Sequence, residues 1–244
     1  MTTFKHSGDL GDIVYSLPTI EKLGGGTLYL DLGGGADEPI IQTQVVEKRT
    51  KLNQAGLDFL APLLRAQPCL KDVAAWSGEA IDYNLNRFRY KLADPQSRSK
   101  TKNLLDLHLD AFNLPPHDPN RGWLVCGEPI RLDKRIVVAR SPRYQSNYPW
   151  FVLRKYALRD KAVFIGLPKE HELFEYTFDI AIDYRPVADA LEMARVIAGC
   201  ETLIANATFA LALGIGLGTV AIVHELEPHF PTTYFEHRKN ITYI

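Results

Sequence analysis

Two carboxylates three residues apart, Asp9 and Asp12, lie in the stretch His6-Ser7-Gly8-Asp9-Leu10-Gly11-Asp12, between a short apolar run and a helix-like pattern. A carboxylate in such a turn can take a proton from a hydroxyl within hydrogen-bond reach and so act as a general base. It can equally do no more than cap the helix that follows, a role worth ~1 kcal/mol. Phosphate is a poor occupant: at ~5 Å and an effective dielectric of ~20, a carboxylate and a phosphate charge repel by about 3 kcal/mol. Asp12 follows Gly11, whose missing side chain leaves room for a substrate, so Asp12 is the better candidate base, with Asp9 and Gly11 on the acceptor side.

The second half of the chain carries groups of the opposite preference. Arg140-Ser141-Pro142-Arg143 follows the apolar run Arg135 to Ala139, and arginine forks match phosphate oxygens two at a time. Asn206-Ala207-Thr208-Phe209 precedes a wholly apolar helical stretch, whose first N–H groups, at Ala207, Thr208 and Phe209, suit a pyrophosphate. Asn206 could instead serve only as its cap. Glu225 and Glu227 follow the last apolar strand pattern, where a carboxylate can bind a ribose diol or be a plain tail charge.

Several familiar chemistries are excluded. His224-Glu225-Leu226-Glu227-Pro228-His229 misses the HExxH zinc spacing by one residue and is broken by proline. No Asp-x-Asp pair is present to hold a divalent ion, so no metal and no cofactor are expected. Gly214-Ile215-Gly216-Leu217-Gly218 follows a helix rather than a strand, and no Walker loop occurs.

One stretch is charge-biased: Arg87, Arg89, Lys91, Arg98, Lys100 and Lys102 against Asp94, with Phe88 and Tyr90 interleaved. Such a strip, with Arg87 and Arg89 leading it, could bind an acceptor by gripping a phosphorylated saccharide or by tracking a DNA backbone. It also fits a plain solvated loop.

Elements must position these loops. Thr2 to His6 reads as a strand, Gly8 to Asp12 as a tight loop, Ile13 to Leu23 as a helix with Ile13, Leu17, Ile20 and Leu23 on one face, and Thr27 to Leu32 as a buried strand. That strand, helix, strand unit implies a parallel sheet. Helices are expected over 52–64 and 101–112, and a weak strand over 70–76. The cluster Pro115-Pro116-His117-Asp118-Pro119 then interrupts the chain, and the division is placed at 130, giving domains 1–130 and 131–244. After it the rhythm restarts, with strands over 135–139, 162–166, 178–182, 200–205 and 219–223, helices over 187–197 and 208–217, and a polar tail. The fold class is therefore α/β: two small Rossmann-like, doubly wound domains facing a cleft.

With 244 residues, 46% hydrophobic and 23% charged, the chain has ample core material, and its formal net charge of -1 supplies no global attraction for nucleic acid or anionic membrane. Three scattered cysteines, Cys69, Cys126 and Cys200, suit a reducing compartment. With no apolar leader or membrane-length run, a cytoplasmic location without integral membrane contact is expected.

Together these residues resemble the GT-B glycosyltransferases, and within them the ADP-heptose:lipopolysaccharide heptosyltransferase group. Residues 6 to 18 are similar to that group's Gly-Asp-hydrophobe turn ending in Leu-Pro, here Leu17-Pro18, in which the Asp matching Asp12 is the general base. Asn206-Ala207-Thr208-Phe209-Ala210 stands where the group has Asp-Ser-Gly-x-x-His, with Asn206 in place of the Asp and no following His, and Tyr148-Pro149-Trp150 loosely matches Lys-x-Trp-Pro. The likeness is strongest to short bacterial and phage versions. It implies an inverting, metal-independent transfer from a nucleotide sugar to a saccharide hydroxyl or a hydroxymethylated DNA base, with Arg140, Arg143 and the Thr208 helix end meeting the diphosphate. Two other readings are an epimerase of the same architecture, acting on the nucleotide sugar without an acceptor, and a nucleotide-binding protein that has lost its chemistry.

Overall fold

Thr3–His6 (β1) is short but nearly wholly buried, and it pairs in parallel with Gly26–Leu30 on one side and Tyr83–Asn84 on the other, Phe4 lying opposite both Leu28 and Tyr83. It is the spine of the first unit in a computed structural model that describes residues 1–33, 52–93, 102–145, 158–226 and 231–244. The chain falls into two units, Met1–Asp118 and Pro119–Ile244.

In the first unit, α1 (Leu10–Lys22) leads to β2 (Gly26–Leu30), then α2 (Gln54–Arg65), β3 (Leu70–Ala75), β4 (Tyr83–Asn84), α3 (Phe88–Ala93) and α4 (Leu104–Asp110). The sheet order is β3-β2-β1-β4, all parallel. The expected stripe of α1 is buried at Ile13, Leu17 and Ile20, and each such side chain contributes ~1.5 to 3 kcal/mol by leaving water.

The second unit comprises β5 (Ile136–Ala139), β6 (Ala162–Phe164), α5 (Pro168–Phe178), β7 (Asp183–Tyr184), α6 (Ala190–Gly199), β8 (Thr202–Ala205), α7 (Phe209–Leu217), β9 (Ala221–His224) and β10 (Ile241–Tyr243). Its parallel sheet runs β10-β9-β8-β5-β6-β7, which is the 3-2-1-4-5-6 order of dinucleotide folds counted from β5. Phe164, Phe174, Phe178 and Ile204 pack together in its core.

The structure departs from the sequence reading in five places. Helix α1 begins at Leu10 rather than Ile13, because Asp9 is extended at the N-cap and Asp12, at the third helical position, accepts the Asp9 N–H at 3.1 Å. Residues 119–130, assigned by sequence to the first domain, hydrogen-bond into the second unit: Trp123 N–H donates to the Gly216 carbonyl at 2.7 Å and Ile130 N–H to that of Arg195 at 2.9 Å. The strand expected over 178–182 comes later and shorter, as β7 at Asp183–Tyr184, because Phe178 still ends α5, which Pro168 starts and Phe174 and Phe178 hold four residues apart, with the left-handed Asp179 stopping it. The charge-biased stretch opens as α3 rather than a loop, and the polar tail returns to add β10 beside β9.

All three cysteines are free; burial pushes the Cys69 thiol up to about 11 and the Cys200 thiol up to about 12, so neither forms a thiolate readily. No helix among the described residues is long and apolar enough to cross a membrane.

Candidate functional site

In the first sheet β2 and β3 lie to one side of β1 and β4 to the other, so the chain leaving β1 and the chain leaving β4 emerge at a topological switch point, where open α/β sheets bind ligands. Gly8 turns the backbone there with φ +96°, a region that strains any residue with a side chain. Three buried groups fix the turn. Asn86, just past β4, accepts both the N–H and the hydroxyl of Ser7 on its Oδ1, at 3.1 and 3.0 Å. His6 Nδ1 accepts the Gly8 N–H at 3.0 Å, and the Arg89 guanidinium donates to the Gly8 carbonyl.

The two histidines below the turn have defined tautomers by this bonding. Because His6 Nδ1 is an acceptor, its Nε2 carries the proton and donates to His108 Nε2 at 3.3 Å; His108 Nδ1 then donates to the Leu104 carbonyl at 2.7 Å. Burial pushes His108 down to about 3, with the Arg89 charge acting in the same direction, so that ring is neutral.

Asp12 stands at the lip of this turn, its side chain 16% exposed, with Arg89 Nη2 3.5 Å from its Oδ2. Asp9 is half-buried beside it, and Gly11 is the second residue of α1 rather than a loop residue. Of the two arginines assigned to an acceptor, Arg87 is exposed, with its guanidinium 5.3 Å from the Phe112 ring centre, whereas Arg89 is buried under the turn. Tyr90 is exposed and Lys102 pairs with Asp110, so among the described residues the basic stretch is not a continuous cationic strip. Asp94, Arg98 and Lys100 lie outside the described residues.

The second unit has its own switch point, between β5 and β8. There Asn206, fully buried, accepts the Ser141 N–H at 3.1 Å on Oδ1 while its Nδ2 faces the carbonyls of Ser141, Arg143 and Tyr144 at 3.0, 2.6 and 3.4 Å. An aspartate, which has no donor when ionised, could not make the second set. Asn206 is therefore a brace for the 141–144 turn and not the cap of α7. That cap is Thr208, whose hydroxyl accepts the Leu211 N–H at 3.3 Å, and the Thr208 N–H is itself taken by the Asn206 carbonyl at 2.6 Å. Ala207 and Phe209 flank Thr208, both half-buried.

Arg140 and Glu225, expected on a diphosphate and a ribose, meet each other instead. Arg140 Nε and Nη2 donate to the two Glu225 oxygens at 2.6 and 2.9 Å, with side chains 6% and 2% exposed, and the guanidinium lies 4.9 Å from the Phe178 ring centre. The pair ties the end of β5 to the end of β9 across β8. Arg143 remains exposed beside half-buried Ser141, its Nη2 donating to the Tyr144 hydroxyl at 3.0 Å. Glu227 and the Tyr148-Pro149-Trp150 segment lie outside the described residues.

Sequence reasoning missed Asn86, His6 and His108. A polar residue one or two positions past a strand end was the available signal for Asn86, but a two-residue strand leaves no period to read. Among the described residues no cluster of three or more His, Cys, Asp or Glu side chains could hold a metal ion.

No protein-family profile and no curated protein matches this sequence. Solved structures do match its fold. A glycosyl transferase family 9 protein from Veillonella parvula DSM 2008 aligns over 100% of this chain and 85% of its own, with TM-score 0.62 and 12% identity. The E. coli heptosyltransferase WaaC with ADP-2-deoxy-2-fluoro heptose aligns over 100% of this chain and 92% of its own, with TM-score 0.55 and 10% identity. The same enzyme with ADP aligns over 91% and 86%, with TM-score 0.53 and 9% identity. The chain is similar to glycosyltransferases of the heptosyltransferase type in fold, with a parallel α/β sheet in each of two units.

Proposed function

We propose that this protein is a glycosyltransferase in which Asp12 takes the proton of an acceptor hydroxyl. The freed oxygen attacks the anomeric carbon of a nucleoside-diphosphate sugar, the bond from that carbon to the diphosphate oxygen breaks, and the diphosphate leaves as an anion. One displacement inverts the carbon, and the step uses no metal or cofactor. The observation that carries this reading is Asp12 itself: a partly exposed carboxylate in the first helical turn after β1, at the switch point of a sheet whose fold is that of glycosyltransferases.

The donor side rests on the second unit. Arg143, Ser141 and the N-terminal end of α7, with Ala207 before it, Thr208 at its cap offering the hydroxyl, and Phe209 as its first residue, are the groups proposed to meet the diphosphate, where preorganised donors offset the charge of the leaving group. Glu227 is proposed for the ribose. Arg140, Glu225 and Asn206 support this loop from within. The solved structures with ADP and ADP-2-deoxy-2-fluoro heptose make ADP-heptose the first donor to test. The acceptor proposed is a saccharide hydroxyl, with Asp9, Gly11 and Arg87 beside it, and the place of action the cytoplasm.

The test is a thermal-shift titration with ADP, ADP-heptose and other nucleotide sugars, followed by turnover with saccharide acceptors. Asp12→Asn is expected to keep the stabilisation by donor and to lose transfer by about 10² to 10⁴-fold. Transfer at the wild-type rate in Asp12→Asn removes Asp12 as the base, and donor binding with no turnover in the wild type leaves only a nucleotide-binding protein.

A further inference from the structure

We infer that Arg89 is the positioning residue of the Asp12 carboxylate, holding it ionised and in place, and is not a contact for the acceptor. The inference rests on the proposed role of Asp12 as base. Arg89 comes from α3, and its side chain is 9% exposed, so little of it is offered to a ligand.

Its Nη2 makes two contacts at once: it donates to the Gly8 carbonyl and lies 3.5 Å from Asp12 Oδ2. The same Oδ2 accepts the Asp9 N–H at 3.1 Å. One guanidinium thus links the turn that carries the base to the base itself. The opposite side of the Gly8 unit is fixed by His6, so the turn is held at its N–H by a neutral ring and at its carbonyl by a cation. Among the described residues, the titratable and charged groups placed about this turn are Asp9 and Arg89 against Asp12 itself, and the His6 and His108 rings linked beneath Gly8. Arg89 is the cation among them, and a cation this close favours the charged form of a carboxylate. A base that is already protonated cannot accept the acceptor's proton, so this pairing keeps Asp12 in its working form.

The test is carboxyl carbon NMR on the full chain across pH, with the Asp12 signal assigned by its loss in Asp12→Asn. In Arg89→Gln the Asp12 signal is expected to titrate about one pH unit higher than in the wild type, and in Arg89→Lys to lie near the wild-type midpoint. Identical Asp12 titrations in the wild type and Arg89→Gln overturn the inference. Should Arg89→Gln fail to fold, the wild type still decides: its Arg89 guanidinium signals are expected to shift with the Asp12 midpoint, and signals that ignore that midpoint overturn it. None of these readouts involves turnover, so a wild-type rate in Asp12→Asn would remove the base while leaving the pairing measured.

Discussion

At the turn after β1, Asn86 reaches over from the end of β4 and accepts Ser7; at the turn after β5, Asn206 reaches over from the end of β8 and holds Ser141. The two asparagines occupy equivalent places in sheets of related strand order, each beside a buried or half-buried Arg and carboxylate pair. The pairs differ in where they sit. Asp12 and Arg89 stand at the lip with the carboxylate 16% exposed, whereas Arg140 and Glu225 are sealed at 6% and 2%. The same topology therefore leaves a negative group within reach of solvent in one unit, and in the other moves both charges into the wall, leaving Arg143 outside.

Breaking the sealed pair gives the largest effect. Arg140→Met removes the two-pronged partner of the buried Glu225 charge and is expected to cost about 3 to 5 kcal/mol in urea denaturation, while Arg140→Met with Glu225→Leu regains most of that loss. At the lip, Asp12→Asn is expected to cost no more than about 1 kcal/mol, since its pair is partly solvated. Equal losses at the two places would end the distinction between wall and lip.

The asparagines sharpen it. Asn206→Asp removes donors from the 141–144 carbonyls and is expected to destabilise by about 2 to 3 kcal/mol, because those acceptors are left facing a carboxylate. Asn86→Asp retains an acceptor for both Ser7 donors and is expected to cost less. Urea midpoints of the two variants, measured side by side, check the order.

Much of this frame was legible because it is local. The runs Thr3–His6, Ile136–Ala139 and Thr202–Ala205, the stripe of α1 and the apolar α7 each declare themselves within one window. The place of Asp12 at the turn after β1 could be read as well, since its loop type and spacing lie within seven residues. What stayed hidden depends on partners far along the chain. Arg140 and Glu225 are 85 residues apart, and each alone looks like a ligand contact at a strand end. Arg89 reads as one of a run of surface cations until the turn 81 residues earlier closes over it. Strand β10 is Ile-Thr-Tyr in a polar tail, stabilised by pairing with β9 rather than by its own pattern.

In each unit a buried histidine near the turn is held neutral, His108 pushed down to about 3 and His224 to about 4, in both cases chiefly by burial. Their ordinary value is 6.5, so below that pH the unfolded chain binds a proton that the folded chain does not. Stability from each is then complete above about pH 6.5 and falls as pH drops towards the folded values, by roughly 1.4 kcal/mol per pH unit per group. His108→Gln should flatten the loss between pH 6.5 and 5 by about 2 kcal/mol relative to the wild type. His224, which bonds the Ala205 carbonyl and Thr233, should behave alike when changed to Gln. A slope unchanged by either variant would mean that the rings are charged in the fold.

The smallest expected change in stability belongs to Arg143, and it separates the wall from the mouth in the second unit. Its guanidinium is exposed, donating to the neighbouring Tyr144 hydroxyl, so Arg143→Ala should leave the urea midpoint within about 0.5 kcal/mol of the wild type. If its charge meets the donor diphosphate, ADP binding by calorimetry should weaken about tenfold, and the salt dependence of that binding should become shallower. Arg140→Met rescued by Glu225→Leu should show the reverse: a restored fold with ADP affinity close to the wild type, because that cation is spent on its own carboxylate. A tenfold loss of ADP affinity in the rescued double variant, with none in Arg143→Ala, would exchange the roles of the two arginines and put the diphosphate on the wall.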